Sequence, residues 1–169
     1  MMDGITGTPG TGKTTIAAEL RKRGHPVLDL KTTIQGYILE QDQIRDTLVI
    51  DEERWVREFP RIEGFVEGHL AHLLPCDRII ILRCRPDVLA DRLKDRGYPE
   101  AKIAENVEAE ALDVVLIEAL EEYRKDQVLE IDTTARSAAD CADTIEQFVR
   151  GAVRSSFGQI DWSDYLEAQ

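Results

Sequence analysis

Residues Gly7, Thr8, Pro9, Gly10, Thr11, Gly12, Lys13, Thr14 and Thr15 place three glycines and a lysine at the spacing of a phosphate-binding loop. Glycines at 7, 10 and 12 let the backbone curl with its N–H groups turned inward, and a helix starting just after the loop adds its positive dipole end at the same point. Lys13 is placed to reach the β- and γ-phosphates, and the Thr14 hydroxyl to ligate Mg²⁺, so the expected ligand is a nucleoside triphosphate with its metal. A second pair with chemical potential is Arg92 and Arg96. They stand four residues apart on a helix opening at Pro86, so they share a face near its C-terminal end and can point together at a transferring phosphoryl group. Surface pairing with Asp87, Asp91, Asp95 or Glu100 is the competing use for both arginines. No Asn-Lys-x-Asp run is present, which weakens a guanine-nucleotide reading.

These side chains need a scaffold. Asp3 to Thr6 reads as a buried strand entering the loop, Ile16 to Arg23 as a helix ended by Gly24, and Val27 to Leu30 as a second strand. Residues 31–46 carry a helical apolar pattern, and Asp51 to Val56 resembles the acidic first turn of another helix. Strands are predicted at residues 64–68, 78–83 and 128–132; Ile79 to Leu82 are four branched aliphatics in a row, as in a strand buried on both faces. Helices are predicted at 86–97, 104–124 and 138–153. Strands alternating with helices give an α/β, doubly wound five-stranded parallel sheet with helices on both faces, and the phosphate loop makes it the P-loop NTPase architecture; resemblance to small nucleoside and metabolite kinases of this fold implies small acceptor (NMP) and ATP lids besides.

With 169 residues and 43% hydrophobic content, one domain with a substantial core is expected, over residues 1–153, followed by an acidic, aromatic tail at 154–169. Phe157, Ile160, Trp162, Tyr165 and Leu166 in that tail either dock back on the domain, the preferred reading, or offer a handle to a partner. No apolar run approaches a membrane span and no signal-peptide order is seen, so a cytoplasmic protein is expected. Cys76, Cys84 and Cys141 lack metal-type spacing and read as reduced, partly buried thiols. The net charge of −12 argues against direct nucleic-acid binding; it fits a basic protein partner or, equally, a solubility or high-salt adaptation.

The loop, followed by Ile50-Asp51-Glu52-Glu53-Arg54, Val66-Glu67-Gly68-His69, Leu93-Lys94-Asp95-Arg96-Gly97-Tyr98 and the segment from Lys102 to Glu110, resembles the nuclear-type adenylate kinases (coilin-interacting nuclear ATPase in animals) and their archaeal counterparts. The resemblance covers most of residues 4–135. It implies an adenylate kinase with ATPase activity, an acceptor lid near 29–52 and an ATP lid near 95–106. It also implies a role in maturation of the small ribosomal subunit through a basic platform ribosomal protein. Carried onto this chain, it puts Lys13, Arg92 and Arg96 on ATP, Thr14 and Glu67 at Mg²⁺, and His69 at the acceptor or an attacking water. Asp29, Lys31 and Gln35 fall on the side of AMP or another nucleoside monophosphate, and Asp132, Thr133 and Thr134 beside the adenine ring. Two departures stand out. Glu67 replaces an Asp, and Gln35 stands where the family commonly offers an Arg, leaving Lys31 as the nearest cation. Kinases of other small metabolites share the loop and the size, so a shikimate- or gluconate-type acceptor is the enzymatic alternative, and an ATP-switched assembly factor for a basic ribosomal protein, with little kinase activity, is the alternative of another class.

Overall fold

The computed structural model describes residues 1–44 and 47–167. Its centre is a five-stranded, all-parallel sheet ordered β2-β5-β1-β6-β7, built from β1 (Met2–Gly7), β2 (Val27–Asp29), β5 (Gly64–Glu67), β6 (Arg78–Arg83) and β7 (Val128–Asp132). The aliphatic run in β6 explains why the sheet is covered on both sides. Side chains alternate along a strand, so Ile79 and Ile81 enter one core and Ile80 and Leu82 the other, all four fully buried. On the first face lie α2 (Glu52–Glu58) and α5 (Val114–Glu122), contributing Trp55, Val115, Leu116 and Ala119. On the second lie α1 (Lys13–Lys22) and α6 (Ala138–Val149), contributing Ile16, Leu20, Ile145 and Phe148. Arg23 ties these two helices together through Glu19, Asp143 and Glu146. Truncating any one of the four β6 aliphatics to Ala should cost about 2–5 kcal/mol.

Chain order reverses around β1, whose neighbours are β5 on one side and β6 on the other. In open parallel sheets the crevice at such a reversal, beyond the carboxyl ends of the strands, is where ligands bind. The phosphate loop emerges from β1 at that end.

Three expectations about local structure need correction. The helix expected over 31–46 is absent from the described residues 31–44; 3₁₀ turns at Leu30–Thr33 and Gln35–Tyr37 lead into an antiparallel pair of β3 (Ile38–Asp42) and β4 (Thr47–Ile50). Arg45 and Asp46 lie outside the described residues. Short polar side chains divert the backbone here: Asp29 Oδ1 accepts from the Lys31 N–H at 2.9 Å, Thr32 Oγ1 donates to Asp29 O, and Thr33 Oγ1 donates to Leu30 O. Gly36 follows within a few residues, which further weakens a helix. The helix expected at 104–124 is two, α4 (Glu100–Ala111) and α5, broken at Asp113, which has a φ of 57°. Finally, α6 stops at Val149, and Gly151 at φ 78° terminates it.

The tail docks on the domain. Glu130 N–H donates to Ser156 O at 2.8 Å, extending the β7 edge, Gly158 N–H donates to Glu130 Oε2, and Phe157 packs on the first core. The short α7 (Asp164–Glu167) follows, with Tyr165 Oη reaching Asp87. All three cysteines are free and buried, and burial pushes the Cys76 thiol up to about 12 and that of Cys84 to about 11. Among the described residues no helix is long and apolar enough to cross a membrane.

Candidate active site

Two glycines show why the loop needs them. Gly7 has φ 149°, and a Cβ there would stand 2.6 Å from Leu82 O and from Thr11 Oγ1. Gly10 has φ 92°, and its Cβ would press into Leu89 and Leu93 of α3 (Pro86–Asp95) at 2.8–2.9 Å. The loop is thus packed flat against α3 by the absence of a side chain. At its far end α1 begins at Lys13, directing its N-terminal dipole into the curl. Lys13 Nζ donates to Gly7 O at 2.7 Å and to Thr8 O at 3.1 Å, folding the cation over the cradle. Burial lowers its pKa from 10.5 to about 8, against the opposing pull of Glu67.

Two hollows border this loop, and a third adjoins the second of them. The first, about 390 Å³, is bordered by Gly10, Gly12, Thr15, Arg92, Arg96, Thr133 and Arg136. The second, about 190 Å³, holds Gly12, Lys13, Thr14, Asp29, Lys31, Glu67, His69 and Arg96. The third, about 300 Å³, is mostly apolar, walled by Leu30, Ile34, Leu48, Trp55 and Leu70, with Lys31 and His69 at its edge. Arg96 borders the first and second; Lys31 and His69 border the second and third. The three hollows therefore lie next to one another, the first two against the phosphate loop and the third beyond Lys31 and His69.

Most of the residues singled out in the sequence come together here, but not all. Asp29 and Glu67 lie opposite each other where β2 pairs with β5. The Glu67 carboxyl is buried, and its pKa is raised by that burial and by Asp29, with Lys13 opposing. The Thr14 hydroxyl borders the same hollow on an exposed residue. One hydroxyl and two carboxylates make an open donor set, which suits Mg²⁺ with its retained waters and phosphate ligands; a bound cation would also relieve the Asp29–Glu67 repulsion. Among the described residues no group of three or more His, Cys, Asp or Glu forms a closed metal cage. His69 sits at the cleft mouth, open to solvent on one side; burial against the cleft walls, then Lys13 and His72, push its pKa down to about 4, so it is neutral at pH 7.

Arg92 and Arg96 are placed differently. Arg92 donates to Gly10 O at 3.3 Å, Thr133 O at 2.9 Å and Thr134 O at 3.5 Å, and makes none of the acidic pairings its neighbours offer. Arg96 is exposed, makes no side-chain hydrogen bond or ion pair among the described residues, and faces the phosphate hollow. Thr133 borders the first hollow. Asp132 and Thr134 do not; Asp132 Oδ1 accepts from the Thr134 N–H and hydroxyl, shaping the turn that presents Thr133. Gln35 is exposed in its 3₁₀ turn and borders none of the three hollows. Sequence reasoning missed Trp55 as a cleft wall, Arg136 beside the first hollow, and the buried carboxylate of Glu110, which accepts from Thr8 Oγ1 at 2.7 Å. A charge at the end of the aliphatic β6 run, Arg83, was the available signal for the last.

Comparison with known proteins agrees with this fold. The family described as "AAA domain" matches residues 4–113, well over half of the chain. A protein of Methanothermobacter thermautotrophicus described as "Putative adenylate kinase" is 46% identical over 167 residues, covering 96% of this chain and 97% of its own. Among solved structures, a deoxyadenosine kinase from M. mycoides with bound dATP superposes with a TM-score of 0.60 at 14% identity, covering 89% of this chain and all of its own. A shikimate kinase from Acinetobacter baumannii in complex with shikimate reaches the same TM-score at 18% identity, with coverages of 89% and 93%. These structures speak for the fold alone. Phosphate loop, five-stranded parallel sheet, family match and close relative converge on one assignment: the chain is a P-loop kinase of the AAA-domain family, and it belongs with the archaeal proteins described as putative adenylate kinases.

Proposed function

We propose that this kinase transfers the γ-phosphoryl group of ATP to AMP, giving two ADP. The single observation that carries the reading is the series of three neighbouring hollows, two of them against the phosphate loop and the third a mostly apolar one walled by Trp55, Ile34 and Leu48 at the acceptor end. A flat aromatic base fills such walls; a polyhydroxy acid would leave its hydroxyls unpaired against them. In this account the loop from Gly7 to Thr15 cradles the phosphates and Lys13 carries the charge at the β- and γ-positions. Arg96 reaches the transferring group, Arg92 secures the nucleotide-side wall, and Thr133 lies beside the adenine. Thr14, with Glu67 and Asp29 through water, would hold Mg²⁺, which neutralises charge on the phosphate oxygens when bound. Lys31 and His69 meet the AMP phosphate. The AMP oxygen that attacks phosphorus is already anionic and ADP leaves as the bond to it breaks, so alignment and exclusion of water matter more than a base. An acceptor panel tests it: AMP should be phosphorylated in preference to CMP, shikimate and gluconate, and phosphorylation of a sugar acid with AMP inert would replace this reading by the metabolite-kinase one.

ATP hydrolysis and a role in small-subunit maturation extend the proposal. Support comes from the family resemblance, the net charge of −12, and an acidic surface on α4 and α5 where Leu112, Ile117 and Leu120 are exposed among Glu105, Glu108, Glu121 and Glu122. A basic platform ribosomal protein is the proposed partner, its affinity set by the bound nucleotide. Calorimetry of the purified pair at two salt concentrations, with ATP, ADP or neither, checks this. Absence of a complex at moderate salt in every nucleotide state would leave a plain nucleotide kinase.

A further inference from the structure

The loop is anchored from outside the cleft. Thr8, its second residue, is buried, and its carbonyl oxygen accepts from Thr11 N–H at 3.2 Å, Thr11 Oγ1 at 2.8 Å and Lys13 Nζ at 3.1 Å. Its hydroxyl points the other way and donates to Glu110 Oε2 at 2.7 Å. Glu110, 2% exposed, lies on α4, which follows the Arg96–Pro99 turn. Its second oxygen accepts from Arg83 Nε at 2.8 Å and from Cys84 N–H at 3.0 Å. Arg83 is itself 1% exposed and also donates to Glu110 O, to Asp113 Oδ1 and to Glu130 Oε1, fixing the break between α4 and α5.

We infer that Glu110 is a positioning residue for the phosphate loop, holding Thr8 through its hydroxyl so that the loop keeps its open curl before ATP arrives. The chemistry favours a carboxylate in this place. An ionised carboxylate only accepts, so the Thr8 hydroxyl must donate to it and its direction is fixed, whereas a neutral amide could pair either way round. A buried carboxylate beside a polyanion site would ordinarily repel the ligand; here Arg83 and the Cys84 N–H offset its charge through the other oxygen. A loop already ordered need not be ordered on binding, so the anchor should appear as ATP affinity. Because α4 continues from the Arg96 turn, the same contact ties the loop to the segment carrying the exposed arginine. The inference rests on the phosphate loop being the ATP site, as proposed above.

The experiment compares wild type, Thr8→Val and Thr8→Ser in the full chain, measuring the dissociation constants of Mg·ATP and AMP by calorimetry together with thermal unfolding of the ligand-free protein. Valine keeps the shape and removes the hydroxyl; serine keeps the hydroxyl. Thr8→Val should weaken ATP about ten-fold, the usual effect of losing one charge-assisted hydrogen bond. It should leave AMP affinity within about two-fold, and Thr8→Ser should recover most of the loss. If valine compromises folding, Thr8→Ala is read in the same way. ATP affinity of wild-type strength in Thr8→Val, an equal loss in Thr8→Ser, or parallel loss of ATP and AMP binding would each overturn the positioning role while the kinase reading stands. No ATP binding by the wild-type protein would overturn both.

Discussion

The Arg92 guanidinium donates to the carbonyl oxygen of Thr133 at 2.9 Å, so a helix residue and the loop after β7 are joined across the nucleotide-side hollow. Arg96, one turn further on, has no such tie and borders the phosphate hollow. The two arginines should therefore fail differently. Arg92→Lys, which cannot reproduce the fork on Gly10, Thr133 and Thr134, is expected to raise the ATP KM and lower stability by about 1–2 kcal/mol, with little change in kcat. Arg96→Lys is expected to lower kcat about ten-fold or more at nearly unchanged stability. Steady-state kinetics and melting curves on both variants check the split; identical profiles would show that the two act as one clamp.

Lys13→Ala should reduce phosphoryl transfer on the order of 10² to 10⁴-fold, the range for removing one positioned charge from a transition state. Its fold should survive, because among the described residues the ammonium bonds only to loop carbonyls. Circular dichroism and turnover on the same preparation decide it, and near-normal turnover in a folded variant would remove Lys13 from the mechanism.

The pKa of Lys13 also predicts a pH dependence. In the free protein burial holds it at about 8, below 10.5. Phosphates placed beside the ammonium favour its charged form and raise the value again. The complex then binds more protons than its separated parts, so ATP binding should take up about half a proton at pH 8 and weaken as pH rises further. Calorimetry in buffers of different ionisation enthalpy measures the uptake; none at pH 8 would contradict the assignment. For the ligand-free fold the sign is opposite. The unfolded chain holds more protons on this lysine between about pH 8 and 10.5, so its contribution to stability rises with pH across that window.

His69, held down to about 4, should give no inflection in the rate profile between pH 6 and 7. A step near 6.5 that vanishes in His69→Gln would show the ring charging at ordinary pH and would recast it as an acid or base.

Phe157→Ala should destabilise the protein by about 1–3 kcal/mol without altering nucleotide affinity, since the ring packs on the core beneath β7 and away from the cleft. Chemical denaturation with parallel ATP titration checks this. An unchanged midpoint would mean the tail is only lightly held.

Much of this was legible in the chain because the signals were local. The curl of Gly7 to Thr15, the aliphatic run of β6 and the Pro86 helix start each follow from neighbouring residues, and with strand–helix alternation they define the sheet. What escaped was decided at a distance or by short polar side chains. The strand pair at 38–42 and 47–50 replaced a helix because Asp29, Thr32 and Thr33 capture nearby backbone groups. The break at Asp113 depends on Arg83, thirty residues away in sequence. Gln35, placed at the acceptor by resemblance, borders none of the three hollows, while Trp55 walls the third from a helix whose sequence showed only an acidic first turn.

The central claim is that the cleft aligns two nucleotides across one phosphate loop. It is tested most directly by incubating the protein with ATP labelled on the γ-phosphorus, Mg²⁺ and AMP, and following where the label goes. The account predicts label in the β-position of newly formed ADP, at a rate that falls with Lys13→Ala and Arg96→Lys. Label released only as inorganic phosphate, at a rate indifferent to AMP, would contradict it.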